Sequence, residues 1–364
     1  MPIDLNIAIL ALPLEHFHPR KDSTSAMIAA ALRRGHRVSM IEPHDLVITS
    51  DERDATSFSK SSESQPSPAD TRPTANIIAH ARRVTWRRTS GDPTTVNANA
   101  IHVDHGHAVA APPERVDARE FDAILVRTDP PFDLEYIYAT YWLEHLAASG
   151  TICINRPRSL RDWNEKAALL RVPDLAPPTL VTRRRDAILG FQSTYGTIVL
   201  KPLDGMGGRS IFQLRPGDSN TNVILDAMLD DDGGTRSAGR KSVMAQAFLP
   251  AYTEGDRRVL IVGGEPQPLV LNRIPTPGES RANLAAGGRG VVEPLSPRDR
   301  EIAAILAPML VDAGLDFVGL DVIGGRLTEI NVTSPTGLRE ILRDGGLDIA
   351  ERFIELVETR AAQR

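Results

Sequence analysis

The segment GLDVIGGRLTEINVTSP, residues 319–335, holds a dense set of side chains able to do chemistry. Residues two apart on a strand share a face, so Glu329 and Asn331 point the same way from the run TEINV. Asp321 lies on the preceding strand. For it to join that face, the glycine hairpin between the strands must hold an odd number of residues, such as Gly324 to Arg326, rather than two. Two carboxylates and an amide oxygen are hard ligands suited to Mg²⁺, which keeps several waters and takes further ligands from nucleotide phosphates. Solvated acids beside a turn account for the same residues taken alone.

A second constellation is TIVLKPLDGMGGRSIFQL, residues 197–214, where Lys201 ends a β-rich run and Asp204, Gly205, Met206, Gly207 and Gly208 form a loop. Glycines let backbone N–H groups approach a polyphosphate, and a lysine at the loop edge adds the charge that amides lack. It is not a Walker loop, because GKS or GKT is missing and a strand follows. An ordinary glycine-rich hairpin fits it equally. The third, RIPTPGESRANLAAGGRG at 273–290, is too long for a tight turn and carries Arg273, Arg281 and Arg289. Guanidinium forks grip phosphate or carboxylate, so such a loop suits an anion-closing lid, or else a plain surface loop. In the fourth, RTDPPFDLEYIYATYWLE at 127–144, Arg127 and Asp129 stand at the carboxyl end of a strand, where open α/β sheets bind ligands. Tyr138, Tyr141 and Trp142 read as packing residues. The histidines of IHVDHGH, His102, His105 and His107, fit an exposed strand or loop better than a metal site.

The elements that must position these groups follow from periodicity. Asn6 to Leu12 reads as a strand, Ser23 to Arg34 as a helix with a capping serine and Gly35 at its end, and Val38 to Glu42 as a second strand, which opens a small parallel-sheet domain. Residues 49–76 are too polar to bury a face and read as a mobile insertion, part of a polar region near 50–118. A strand at FDAILVR, a helix from Glu135 to Ser149 and a strand at TICIN close this domain near residue 156. A helix from Ser159 to Leu170, a strand at 179–182 and a helix before residue 197 follow. Strands then dominate to residue 333 apart from a helix from Arg298 to Ala313.

At 364 residues the chain exceeds what one core usually organises, which implies two or three domains. Apolar residues at 41% and charged residues at 24% allow a real core, and a formal charge of −5 gives no broad positive surface for nucleic acid or an anionic membrane. The N-terminal apolar run lacks spanning length and a cleavage site. A single cysteine, Cys153, makes no intramolecular disulfide, so a cytoplasmic location is expected, and its apolar strand predicts an inert thiol.

Taken in order, KDSTSAM at 21, RTDPPFDLEYIYATYWLE at 127, NRPRSLRDWNEKA at 155, LKPLDGMGGRSIF at 200, AQAFLPA at 245, GDRRVLIVGGEPQP at 255, RIPTPGESRANLAAGGRG at 273 and VGLDVIGGRLTEINVTSPTGLREI at 318 resemble bacterial glutathione synthetase. The resemblance implies an α/β (α+β) ATP-grasp fold: an N-terminal parallel-sheet α/β domain over 1–156, a small central domain over 157–250, and a C-terminal domain over 251–364 with a lid at 274–290. It implies ligation of γ-glutamylcysteine to glycine with ATP and Mg²⁺, two ions being expected and Mn²⁺ an alternative, in a homo-oligomer with no nucleic-acid or membrane partner. By the same resemblance Lys166 and Lys201 hold ATP phosphates, the loop from Asp204 to Gly208 covers them, and Gln246, Ala247, Phe248 and Leu249 meet adenine. Asp321, Glu329 and Asn331 match metal ligands, and Arg258 and Arg273 match arginines around the transferred phosphate. Lys21, Arg127, Arg281, Ser334 and Thr336 fall near the peptide substrate. Gly337 stands where the family commonly has cysteine, and the polar insertion is longer than usual. Another ATP-grasp carboxylate–amine ligase, or a catalytically silent ATP-binding module, are the readings to set against this one.

Overall fold

The computed structural model describes residues 4–17, 21–50, 76–88, 106–205, 208, 210–230, 241–278, 284 and 287–364. Met206, Gly207, Arg281, His102 and His105, together with residues 279–283, 285 and 286 of the expected lid and most of the polar stretch 49–76, lie outside the described residues.

The first sheet contains β1 (Asn6–Leu10), β2 (Arg37–Ile41), β3 (Leu46–Thr49), β4 (Asn76–Arg88), β5 (Gly106–Ala110), β6 (Glu114–Asp117), β7 (Ala123–Val126) and β8 (Ile152–Ile154). Its order is β3-β4-β2-β1-β7-β8, with β5 and β6 paired to β4. The run β2-β1-β7-β8 is parallel, as the β-helix-β opening requires, and β4 joins it antiparallel. β4 to β6 correct the reading of 50–118 as one polar insertion. In β4, Ile77, Ile78, Ala79, Ala81 and Val84 are buried while His80, Arg83 and Thr85 face out, so buried positions interleave with exposed ones without a strict period of two. Because β1 sends the chain first to β2 and later to β7 on its other side, the sheet switches direction between β1 and β7, and Arg127 emerges at that point with its N–H on Leu10 O at 2.8 Å.

The second sheet is small and antiparallel: β9 (Thr179–Thr182), β10 (Ile198–Pro202), β11 (Phe212–Leu214) and β12 (Val243–Ala247) in the order β11-β10-β12-β9. With the helices Arg185–Tyr195 and Thr221–Leu229 it buries a core of its own, built on Ile188, Ile198, Leu200, Leu225 and Leu229. The third sheet comprises β13 (Asp256–Val262), β14 (Glu265–Pro266), β15 (Leu269–Ile274), β16 (Arg289–Pro294), β17 (Phe317–Ile323) and β18 (Arg326–Asn331), antiparallel in the order β16-β15-β13-β17-β18 with β14 on β13. Its apolar face packs on the helix Pro297–Ala313 through Ile302, Leu306 and Leu310, and that core runs on through Leu160 and Trp163 to Ile124 and Val126 of the first sheet.

Two helices differ from expectation for local chemical reasons. The first is Ser23–Arg33, and its cap is Asp22, whose carboxylate accepts from Thr24 N (2.7 Å) and Ser25 N (3.1 Å). The Ser23 hydroxyl instead accepts from Gly337 N at 3.2 Å, which ties the helix start to the far end of the chain. The helix expected over Ser159 to Leu170 breaks into an α-helix, Pro157–Asp162, and a 3-10 turn, Ala167–Arg171. At the break Asn164 accepts from Lys166 N (3.2 Å) and Ala167 N (3.0 Å), and both Glu165 and Lys166 line the cleft between the second and third sheets.

Candidate active site

That cleft is open to solvent, and the space within it and at its mouth amounts to about 1180 Å³. From the second sheet come Lys201 on β10 and the β12 end, Gln246 to Leu249; from the third come Asp256, Arg258, Arg273, Asp321, Glu329 and Asn331.

The third sheet aligns its charges by register. On β13, Asp256 faces Arg273 of β15, and Arg258 faces Asp321 of β17, which in turn faces Glu329 of β18. The turn between β17 and β18 is a two-residue Gly324-Gly325 turn closed by the pair Ile323 and Arg326, so the expected odd-length hairpin is wrong. A two-residue turn would set Asp321 opposite Thr328. The ladder instead shifts between Asp321 and Val322, an extra residue is taken up at Thr328, and Asp321 meets Glu329. Thr328 and Glu329, adjacent in sequence, consequently both line the cleft.

Arg258 forks onto Asp321, with Nε 2.5 Å from Oδ1 and Nη2 3.1 Å from Oδ2. Arg273 Nη2 lies 3.0 Å from Asp321 Oδ2 and 2.7 Å from Asp256 Oδ2. Burial alone would lift the Asp321 carboxyl, but the two guanidiniums outweigh it and hold the group below the usual carboxylate range. Asp256 is pushed up to about 6, chiefly by burial and further by the negative charge of Asp321, against the pull of Arg273. The Arg273 guanidinium, despite burial, is held in its charged form by the two aspartates.

On the opposite wall, Lys166 donates to Gly205 O at 2.6 Å, and Lys201 lies 3.5 Å from Glu329 Oε1. Both lysines are buried at the cleft wall. The loop bearing Asp204, Gly205 and Gly208 is anchored where it leaves β10: Asn164 Nδ2 donates to Leu203 O (2.9 Å) and Phe132 N to Asp204 O (3.1 Å). Gln246 is buried with its amide on Thr179 Oγ1 at 3.2 Å, beside Ala247, Phe248 and Leu249. The expected donor set Asp321, Glu329 and Asn331 offers hard oxygens for a divalent cation: the Asn331 nitrogen is spent on Gly319 O (3.2 Å), which leaves its oxygen for a ligand, Glu329 pairs with Lys201 at 3.5 Å, and Asp321 would share its carboxylate between the cation and the two arginines. Glu42, His44 and Asp45 also cluster, but Arg82 already pairs with both acids, at 2.9 Å and 2.8 Å.

Of the residues expected near the peptide, Arg127, Ser334 and Thr336 meet at the segment 334–337. Arg127 is buried, with Nε on Thr24 Oγ1 (3.2 Å), Nη2 on Pro335 O (3.0 Å) and Nη1 without a partner among the described residues. Ser334 donates to Asp129, and Thr336 O accepts from Arg258 Nη1 at 3.4 Å. Lys21 is exposed and acts electrostatically on the Glu340 carboxyl. Tyr138 and Tyr141 are exposed, contrary to their reading as packing residues; Tyr136 is the tyrosine that packs inward, and Trp142 is half-buried against the core. Cys153 is half-buried against the core and its thiol is pushed up to about 12 by desolvation, in line with an inert group. Asp256 and Glu165 were missed. Asp256 could have been found, since it shares a face with Arg258, two residues on, at the charged start of a strand that continues apolar; nothing local to the sequence marks Glu165.

A glycine loop and two lysines facing a carboxylate–guanidinium row across a cleft between two antiparallel sheets define an ATP-grasp ligase. Solved structures agree on the fold: D-cycloserine synthetase DcsG superposes with a TM-score of 0.59 at 14% identity over 98% of this chain and 100% of its own. The ATP-grasp ligase PsnB, complexed with precursor peptide PsnA2 and AMPPNP, gives 0.56 at 15% identity over 99% of each chain. Residues 5–161 match the N-terminal domain, and residues 165–346 the ATP-grasp domain, of prokaryotic glutathione synthetase. The glutathione synthetases of Vibrio cholerae and Pseudomonas syringae are each 40% identical to it, over 98% of both chains and over 100% of this chain and 99% of the other, respectively. That of Nitrosomonas europaea is 41% identical over 99% of both. The chain belongs to the prokaryotic glutathione synthetase family, whose members are ATP-dependent ligases that use a divalent metal. Among the described residues no helix is long and apolar enough to cross a membrane.

Proposed function

We propose that the chain joins γ-glutamylcysteine to glycine, with the cysteinyl carboxylate first taking the γ-phosphoryl group of ATP. The carboxylate oxygen attacks phosphorus and ADP leaves. Glycine's amine then attacks the acyl carbon, phosphate departs with the C–O bond, and the amine gives up a proton to solvent. The observation that carries this reading is the convergence of Arg258 and Arg273 on Asp321 directly opposite Glu329, in the cleft that Lys166 and Lys201 also line.

In this reading Lys166 and Lys201 neutralise the polyphosphate, the loop from Asp204 to Gly208 covers it, and Gln246 to Leu249 receive the adenine. Arg258 and Arg273 meet the charge that develops on the transferred phosphoryl group and on the tetrahedral oxyanion, donors held ready by aspartates before substrate arrives. Asp321, Glu329 and Asn331 would hold Mg²⁺, in one or two ions with Mn²⁺ able to substitute; when bound it supplies Lewis-acid neutralisation of the phosphates. Arg127, Lys21, Ser334 and Thr336 would hold the peptide, and residues 274–290, with Arg281, would exclude water from the acyl phosphate. A homo-oligomer in the cytoplasm completes the proposal.

The test is release of ADP by purified protein with each substrate alone and paired. ADP formed only with γ-glutamylcysteine and glycine together supports the reading. Equal turnover with unrelated peptides points to a different carboxylate–amine ligase, and ATP retained without turnover to a silent binding module.

A further inference from the structure

Glu165 occupies the break between two helical segments, and three groups from one stretch of chain converge on a single one of its oxygens. Val332 N lies 3.0 Å from Oε1, Thr333 N 3.1 Å and Thr333 Oγ1 2.7 Å. Its main chain acts on the same stretch one step earlier, since Glu165 O accepts from Ile330 N at 2.9 Å. Asn331, the last residue of β18, is therefore bracketed on both sides by bonds to one residue.

β18 is the edge strand of the third sheet, and an edge strand has no second neighbour to fix where its side chains sit. Here the neighbour is a non-repetitive segment. Flanking residues tie that segment to the opposite wall: Asn164 to Leu203 O at 2.9 Å and Lys166 to Gly205 O at 2.6 Å. The tripeptide thus spans the cleft, with its outer residues on the glycine loop and its centre on the strand that carries Glu329 and Asn331. Glu165 itself is half-buried at the cleft wall. Its carboxyl is raised by burial, against which the Thr333 bonds and the charge of Lys166 act.

We propose that Glu165 is a positioning residue that sets Glu329 and Asn331 at the distance from Lys166 and the glycine loop at which a divalent cation and nucleotide phosphates are shared. This rests on the reading of the cleft given above. Neither backbone N–H of residues 332 and 333 has a strand partner there, so without Glu165 the strand end loses the acceptor that orients it.

The experiment measures binding of a non-hydrolysable ATP analogue by calorimetry, with and without Mg²⁺, for the full chain and for Glu165→Met and Thr333→Val, with thermal melting of each. Met keeps the length but removes the acceptor oxygen on which the three donors converge; Val removes only the hydroxyl donor. The enhancement of analogue binding by Mg²⁺ is expected to fall about 10- to 100-fold in Glu165→Met, the range for losing a group that orients metal ligands. Binding without Mg²⁺ is expected to stay within about threefold, and Thr333→Val to move the same way by a smaller factor. A general loss of structure would weaken both measurements together. A folded Glu165→Met with the parent's Mg²⁺ enhancement overturns the inference, as does an unchanged Thr333→Val should Glu165→Met fail to fold. If the parent itself shows no Mg²⁺ enhancement, the reading of the cleft falls and this inference with it; a parent that shows it beside unaffected variants defeats the inference alone.

Discussion

Arg258 and Asp321 stand directly opposite each other on β13 and β17 and are joined by two bonds, while Arg273 reaches the same carboxylate from the neighbouring strand at 3.0 Å. One aspartate therefore sits between two guanidiniums, and the two donors that would meet an incoming phosphate are already fixed in place. Arg273→Ala is expected to lower turnover by about 2–4 kcal/mol, the usual loss for one preorganised donor. It also strips the partner from buried Asp256, so a stability loss of about 3–5 kcal/mol is expected beside it. Kinetics and urea denaturation read the two separately, and near-parent turnover excludes the catalytic role.

The fork of Arg258 onto Asp321 needs an empty place beneath it. Gly319 supplies that place: a Cβ there would lie 2.9 Å from Arg258 Cδ and 2.9 Å from Pro335 Cβ. Gly319→Ala is expected to fold with a penalty of about 1–3 kcal/mol, the range for an added methyl in a packed region, and to lose more activity than its stability explains because Arg258 must move. A variant with parent kcat and KM would mean that the fork tolerates displacement.

Much of this arrangement could be read from residue order. Period-2 spacing placed Glu329 with Asn331, and the strand end placed Arg127 at the switch between β1 and β7. What could not be read lay in groups whose roles depend on distant chain. Glu165 is one acid in a polar run until residues 330–333 come alongside it, and Ser23 looks like a helix cap until Gly337 claims its hydroxyl. The bulge at Thr328 was hidden for another reason: loop parity assumes an unbroken ladder, and the extra residue was placed within the strand instead of the turn. β4 was missed because arginines interrupt its buried positions, which keep no strict period of two.

Asp256 gives the cleft a pH signature. Its carboxyl binds a proton at about 6 in the folded chain against 3.8 for the free side chain. A raised folded value favours the folded state fully below the unfolded value, and that advantage is lost as pH rises through 6. Asp321 has the opposite sign: its contribution is present above 3.8 and is lost only as pH falls through its depressed folded value, below this window. Asp256→Asn removes the first titration alone. Its stability relative to the parent is expected to rise by about 3 kcal/mol between pH 4 and pH 7, the free energy of a shift of roughly two pKa units. Chemical denaturation at several pH values measures it; parallel stability curves for the two proteins would mean that Asp256 does not titrate there.

Thr49, the last residue of β3, pairs directly with Asn76, the first of β4, so the residues between them join two strand ends already in register. A two-residue turn is enough to connect such ends. Replacing residues 50–75 with a short Asn-Gly turn is therefore expected to leave ADP release within about twofold of the parent and the melting temperature unchanged or higher, since a shorter loop costs less entropy to close. The strand ends bear on this outcome more than the polar composition does: they belong to β3 and β4 at one side of the sheet, whereas Arg127 follows β7, three strands along from β4. A folded deletion variant with activity reduced tenfold or more would show that the segment reaches the substrate.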